Sequence, residues 1–130
     1  MGMVYANITL KNPKDATLRP MQVRALVDTG AQWLCIPEHT ALQLKLERLE
    51  DREVTLADGG KRLIPYMGPV QVSFENRTCY VGVLVFGNEV LLGAIPMEDM
   101  DLVVSPLHRK LMVNPESPNI AAGFVMGVRK

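Results

Sequence analysis

The chain has 130 residues, 48% of them hydrophobic, and its 14 basic and 14 acidic side chains give a formal net charge of zero. This length and composition support one compact domain with a core of its own and leave too few residues for two domains. The balanced charge offers no electrostatic basis for a nucleic-acid or membrane-surface partner. No apolar run approaches the ~20 residues needed to span a bilayer. The amino terminus lacks the basic-then-apolar pattern of a secretory signal. We therefore expect a cytoplasmic protein with no nucleic-acid and no membrane partner.

The first predicted strands lead to an acidic residue. Residues 5–10 alternate polar and apolar side chains, residues 12–15 interrupt the run, and residues 19–27 become increasingly apolar towards Asp28. This pattern predicts a hairpin that ends at Asp28. A carboxylate beside a buried strand is unfavourable unless another group holds it or the protein uses it, so this position indicates a functional residue.

The segment Asp28-Thr29-Gly30 is predicted to form a tight loop. Gly30 allows the backbone to turn without a side chain in the way, and the hydroxyl of Thr29 can fix the loop by a hydrogen bond. A nucleophilic Thr29 would need an adjacent base or a free amine, and the position offers neither, so its predicted role is to brace the loop. An ordinary turn without chemistry is the alternative.

The middle of the chain is predicted to form a short helix and a hairpin. Residues 38–46 contain good helix formers after a proline, which favours a helix that packs on the sheet. Residues 53–57 and 61–66 flank Asp58-Gly59-Gly60, which is a strong hairpin-turn signal. Asp58 is interpreted as a turn residue, because Asp is common at hairpin tips for local backbone reasons.

The second half is predicted to be mainly strands. Residues 70–74 and 79–85 place apolar side chains at every second position around a turn at Asn76-Arg77, which indicates a hairpin with one buried face. A helical turn is expected over Pro96–Met100, and residues 110–113 are expected to add a short strand.

The cysteines and histidines do not indicate a metal or cofactor site. Cys35 and Cys79 lie in apolar runs, so buried free thiols are expected. His39 and His108 are far apart, and a metal site needs three or four converging ligands, so both are expected in surface or turn positions. The chain is predicted to use no cofactor.

Three motifs in order give this chain its resemblance to a known family. Asp28-Thr29-Gly30, the hairpin at Asp58-Gly59-Gly60 and Leu91-Leu92-Gly93 together resemble the retropepsin-like aspartic proteases, the group that contains the retroviral enzymes, over residues 21–115. The resemblance implies an all-β fold: a closed acid-protease barrel with a Gly-rich flap hairpin and one or two short helices. Residues 1–115 would form this domain, and residues 116–130 a C-terminal tail that is flexible or lies at the dimer interface.

The resemblance also implies an enzyme and its site. Such enzymes need two carboxylates that share one proton, so the single Asp28 per chain implies a homodimer in which the two Asp28 side chains activate a water against a peptide bond. Thr29 and Gly30 would support this dyad. A peptide or protein substrate would contact Ala31, Ala57 and the residues Asp58, Gly59 and Gly60 of the flap, while Leu91, Leu92 and Gly93 would be structural.

Several residues depart from the viral pattern. Gln32 and Trp33 stand where the viral enzymes have two acidic residues, and Ala94 stands where they have arginine. Trp33 is expected to pack near the dimer interface or the pocket wall rather than to select substrates. An apolar substrate preference is suggested by Leu56, Ile64, Val83 and Ile95. The alternative function is a noncatalytic dimerisation or peptide-binding module with the same fold.

Overall fold

The computed structural model of the protein describes residues 2–125. Met1 and residues 126–130, which include the end of the predicted C-terminal tail, lie outside the described residues. The elements in chain order are β1 (Val4–Lys11), β2 (Met21–Val27), β3 (Leu34–Ile36), α1 (Glu38–Gln43), β4 (Glu47–Thr55), β5 (Lys61–Phe74), β6 (Arg77–Val85), β7 (Val90–Leu92), α2 (Ala94–Asp99), β8 (Leu102–Ser105) and β9 (Lys110–Val113).

Seven of these strands form one sheet that closes on itself. The strand order is β1-β2-β7-β3-β6-β5-β4, and β1 also pairs with β5. This extra pairing closes six strands into a barrel and leaves β4 outside the ring, attached only to β5. The all-β fold with a closed barrel and only short helices is confirmed. A separate hairpin of β8 and β9 lies beside the barrel.

The predicted alternation is confirmed by burial in β5 and in the first half of β6, whereas Val83 and Leu84 of β6 are both buried. In β5, Val70 and Val72 are fully buried in the barrel core, whereas the alternating residues Gln71 and Ser73 remain half-exposed. The turn between the two strands lies at Glu75-Asn76, one residue earlier than predicted. Glu75 has a φ of 50° there, in the left-handed region that tight hairpin turns use.

Helix α1 ends at Gln43, three residues before the predicted end. The side chain of Asn12, which is buried, donates to the carbonyl oxygen of Leu44 at 2.9 Å and to that of Lys45 at 3.3 Å. Lys45 turns into the left-handed region with a φ of 51°. These contacts satisfy the carbonyls that a helix end leaves without partners, so the helix stops early.

Helix α2 begins at Ala94, two residues before the predicted helical turn. The backbone N–H groups of Ala94 and Ile95 donate to the carbonyl oxygens of Ala31 and Gln32, both at 2.8 Å. Pro96 follows in the first turn, where its missing N–H leaves no intrahelical hydrogen bond unmade. Within residues 2–125, neither helix has the length and apolar character that crossing a membrane requires.

Asp101, between α2 and β8, holds the segment that follows β9. Its carboxylate accepts hydrogen bonds from the hydroxyl of Ser117, the backbone N–H of Ala122 at 3.0 Å and the amide of Asn114 at 3.1 Å. These bonds, that of Ser117 above all, lower the pKa of Asp101 from 3.8 to about 2. Both carboxylate oxygens are therefore engaged in the fold.

Two side chains of the β5–β6 hairpin hold the same segment. Arg77 is 2% exposed, and its guanidinium donates to the carbonyl oxygen of Ser117. The amide of Asn76 donates to the carbonyl oxygen of Pro118 at 2.9 Å. Residues 117–122 are thus held by hydrogen bonds from two separate parts of the chain, Asp101 and the adjacent pair Asn76 and Arg77.

Candidate active site

Asp28 follows β2 directly, and hydrogen bonds from three directions fix its position. Its backbone N–H donates to the carbonyl oxygen of Leu92 at 3.0 Å, and its own carbonyl oxygen accepts from Ala31 at 3.1 Å. Its Oδ1 accepts from the N–H of Gly30 at 3.0 Å. Within residues 2–125, no hydrogen bond reaches Oδ2 of Asp28, so one oxygen of this half-buried carboxylate is free.

The Asp28 loop rests on β7 and on Gly93. Strands β2 and β7 run parallel, with Leu26 opposite Leu91 and Val27 opposite Leu92. A Cβ atom at Gly93 would lie 2.4 Å from the carbonyl oxygen of Trp33 and 2.8 Å from that of Ala31. Only glycine allows this backbone approach, so the predicted structural role of Gly93 has a direct steric basis.

The β4–β5 hairpin extends over this loop. At its tip, the N–H of Gly59 donates to Leu56 at 2.9 Å, the N–H of Leu56 donates to Gly60 at 2.8 Å, and Gly59 has a φ of 87°. Oδ1 of Asp58 accepts from the N–H of Gly60 at 2.8 Å. Asp58 is thus engaged in the turn, as a hairpin with a left-handed glycine requires.

A cavity of about 490 Å³ lies between the hairpin and the Asp28 loop. Of the predicted site residues, it is lined by Asp28, Gly30, Ala31, Ala57 and Leu91. The other predicted site residues lie outside its lining: Thr29, Asp58, Gly59, Gly60, Leu92 and Gly93. Thr29 is exposed on the loop, and Leu92 is fully buried in the barrel core.

The apolar wall of the cavity differs in part from the sequence-based suggestion. Leu56 and Ile64 line it. Val83 instead points into the barrel core, where it is fully buried, and Ile95 is exposed on α2. The alternation of a strand identifies two faces, but in a closed barrel the sequence does not identify which face meets the core and which meets the cavity.

Eight lining residues were not predicted as substrate-contacting: Gln32, Trp33, Cys35, Glu53, Val54, Thr55, Leu84 and Phe86. Leu84 lies near the end of β6 and Phe86 directly after it, and both pack in the small cluster that contains Ile64 of the hairpin strand β5, while Val83 packs in the barrel core. The signal for them was an apolar run that continues without alternation from Val83 to Phe86.

The cysteines are inert in this setting. Cys35 is a free thiol on the cavity wall, where burial and then the negative charge of Asp28 raise its pKa. Burial, with a contribution from Asp99, raises the pKa of Cys79 to about 12. Both thiols stay protonated at neutral pH, so neither is an activated nucleophile.

Two acidic side chains line the cavity, Asp28 and Glu53. Among residues 2–125, no three His, Cys, Asp or Glu side chains are grouped as metal ligands would be. Glu53 is the second acidic residue on the cavity wall, but it lies on the hairpin and faces Lys61 at 3.9 Å. Asp28, with one free oxygen, is the group best placed to accept or donate a proton in the cavity.

Comparisons with known proteins agree with this geometry. The family described as "gag-polyprotein putative aspartyl protease" matches residues 15–96, which span both the Asp28 loop and the hairpin. A search of curated proteins gave no match.

Two solved structures share the fold. The retroviral protease-like domain of Ddi1 from Leishmania major has a TM-score of 0.59 and 15% sequence identity, over 88% of this chain and 90% of that one. The EIAV protease, solved in complex with the inhibitor HBY-793, has a TM-score of 0.57 and 17% identity, over 75% of this chain and 88% of that one. The family match covers well over half of the chain, and the barrel is the retropepsin-like fold, so this protein belongs to the gag-polyprotein aspartyl protease family.

Proposed function

We propose that the protein is an aspartic endopeptidase that hydrolyses peptide bonds with a water activated by two Asp28 carboxylates, one from each chain of a homodimer. The observation that carries this proposal is the position of Asp28. Backbone hydrogen bonds hold it at the cavity, while Oδ2 has no hydrogen-bond partner within residues 2–125. A rigid backbone with a free carboxylate oxygen is what proton transfer to and from a bound water requires.

The dimer follows from the number of acids. Two carboxylates in contact cannot both ionise, so the pair shares one proton, one member acting as base on the water and the other as acid towards the leaving amine. Each chain supplies one Asp-Thr-Gly loop. Thr29 is exposed beside Asp28, where it can brace the loop of the second chain, and Gly30 leaves room for close approach.

The C-terminal segment is the second element that we assign to the dimer interface. We take residues 1–115 as the protease domain and residues 116–130 as its interface segment. In the described part of this segment, Ile120, Phe124 and Val125 are 78%, 93% and 82% exposed. Apolar side chains this exposed are favourable when a second chain covers them.

The substrate is a peptide or protein in extended conformation. It enters between the Asp28 loop and the β4–β5 hairpin, where Ala31 and Ala57 line opposite sides of the cavity. The hairpin acts as a flap, with Asp58, Gly59 and Gly60 forming its tip, and its closure excludes bulk water from the scissile bond.

The test is cleavage of a mixed peptide library by the wild-type protein and by Asp28→Asn, at acidic and neutral pH, with pepstatin as a control and with the mass in solution measured alongside. We expect acid-favoured cleavage by a dimer that Asp28→Asn abolishes. A dimer that binds peptides and cleaves none would instead support a noncatalytic peptide-binding module, and a strict monomer would contradict the shared dyad. Cytoplasmic localisation is predicted from the sequence, and fractionation of cells that express the protein tests it.

A further inference from the structure

Trp33 is the chain's one tryptophan and forms part of the cavity wall. It is half-buried, and it packs with Tyr66 and Phe86 against a small apolar cluster that is separate from the barrel core. The buried members of this cluster are Cys35, Ile64 and Leu84. The position of the indole therefore helps to set the shape of the cavity.

Arg52 connects the hairpin to this indole. Its Cζ atom lies 3.8 Å from the centre of the Tyr66 ring and 5.9 Å from the centre of the Trp33 ring. Both distances fall within the ~6 Å over which a guanidinium is attracted to an aromatic face. The Nε atom of Arg52 donates to Glu50 at 2.8 Å, which orients the guanidinium further.

Tyr66 is itself held by the barrel. A Cβ atom at Gly82 would lie 2.1 Å from Cζ of Tyr66, so the ring packs directly on the backbone of β6. A path of contacts thus runs from β6 through Tyr66 and Arg52 to Trp33. Arg52 reaches the Trp33 ring from the hairpin and adds to the contacts of the indole with the apolar cluster.

We propose that Arg52 is a positioning residue for substrate selection, which holds the Trp33 indole in place as a wall of the cavity and thereby limits the size of the apolar side chain that the cavity accepts. The effect of Arg52 on cleavage rests on the proposed peptidase function. The effect of Arg52 on the Trp33 indole can be measured whether or not the protein cleaves peptides. The substrate class is a peptide with an apolar side chain at the scissile bond, and loss of this wall should shift selection from leucine towards the larger phenylalanine.

The first test measures the contact itself. With one tryptophan in the chain, the protein's tryptophan fluorescence reports on Trp33 alone. In Arg52→Ala we expect emission at longer wavelength and stronger quenching by acrylamide than in the wild type. Thermal unfolding of the same sample checks that the variant is folded. Arg52→Lys keeps the charge but loses the planar face and should be intermediate. An Arg52→Ala spectrum identical to that of the wild type would overturn the inference.

Arg24→Ala is the matched control. The Cζ atom of Arg24 lies 3.7 Å from the centre of the Tyr5 ring, on the β1–β2 hairpin, and neither residue lines the cavity. This variant loses a contact of the same kind and should leave the fluorescence of Trp33 unchanged. If Arg52→Ala does not fold, Arg52→Gln removes the charge while keeping much of the side chain's length and should shift the emission in the same direction.

The second test measures selection. For a matched pair of peptides with leucine or phenylalanine at the scissile bond, Arg52→Ala should raise the phenylalanine-to-leucine ratio of kcat/KM about tenfold, while Arg24→Ala should not change it. An unchanged ratio would overturn the role in selection. If the wild type cleaves neither peptide, the proposed function fails. The inference is then tested with the Kd values of the two peptides, measured from the quenching of Trp33 fluorescence. An unchanged ratio of these Kd values in Arg52→Ala would overturn the role in selection.

Discussion

Asp28 and Asp101 use their carboxylates in opposite ways. Asp101 accepts hydrogen bonds on both oxygens, from Asn114, Ser117 and Ala122, and its pKa falls to about 2 as a result. Among residues 2–125, the Asp28 carboxylate accepts one hydrogen bond, from Gly30 on Oδ1, and two backbone hydrogen bonds hold the residue at the end of β2. The comparison separates a carboxylate with both oxygens engaged in the fold from one that lines the cavity with Oδ2 unbonded within residues 2–125.

The largest expected effect separates the functions of these two acids. Asp28→Asn should lower peptidase activity by about 10³-fold or more, because it removes the proton transfer, and should leave the unfolding midpoint nearly unchanged. Asp101→Asn, the matched control, should keep most of the activity. Initial rates on one peptide substrate, together with thermal unfolding of each variant, measure both effects. Comparable loss of activity in the two variants would contradict the division of roles.

The second effect tests the claim that the backbone positions Asp28. Gly93→Ala places a Cβ atom 2.4 Å from the carbonyl oxygen of Trp33, an overlap that should destabilise the protein by about 2–3 kcal/mol. Gly123→Ala is the control, since nothing lies within 4 Å of its added Cβ atom. Urea unfolding of the two variants gives the comparison. If Gly93→Ala were as stable as Gly123→Ala, the loop would not be held as described.

The third effect sharpens the role of Asp101 through pH. Its pKa is lower in the folded protein than the ordinary 3.8, so its contribution to stability is present above pH 3.8 and is lost as the pH falls towards about 2. Hydrogen exchange of residues 114–122, measured through this range, should show protection decreasing towards low pH. In Asp101→Asn the protection should be weak at every pH. A protection profile in the wild type that stays flat through this range would rule out Asp101 as the anchor.

The smallest effect concerns the hairpin tip, where Asp58 engages its carboxylate in a local turn. Gly59 has a φ of 87°, so Gly59→Ala should destabilise the protein by about 1 kcal/mol through backbone strain alone. Asp58→Ala removes the hydrogen bond to Gly60 and should cost about 0.5–1.5 kcal/mol. Thermal unfolding measures both. A loss of activity from Asp58→Ala as large as that from Asp28→Asn would show that this tip carboxylate has more than a turn role.

The sequence predicts the local features of this protein well. The alternation in residues 70–85 identifies β5 and β6, and Asp58-Gly59-Gly60 identifies the hairpin tip, because each depends on residues close together in the chain. The early end of α1 could not be predicted in this way. It depends on Asn12, which lies 32 residues from Leu44 and reaches it only in the folded barrel.

The same limit applies to the candidate site. Asp28 was identified by its motif, and Gly93 by its place in a second motif. The cavity wall at Leu84 and Phe86, and the contact of Arg52 with Trp33, depend on how the hairpin folds back over β6. The hydrogen bonds of Asp101 likewise join residues that are 13 or more positions apart. Nothing in the sequence near Asp101 marks it as an anchor.

The most direct test of the shared dyad is to mix the wild-type protein with Asp28→Asn under conditions in which chains exchange between dimers. If the site needs Asp28 from both chains, mixed dimers are inactive, and an equal amount of Asp28→Asn should lower the activity of a fixed amount of wild type to about half. Activity that does not change on addition of Asp28→Asn would contradict the account, because it would mean that one chain holds a complete active site.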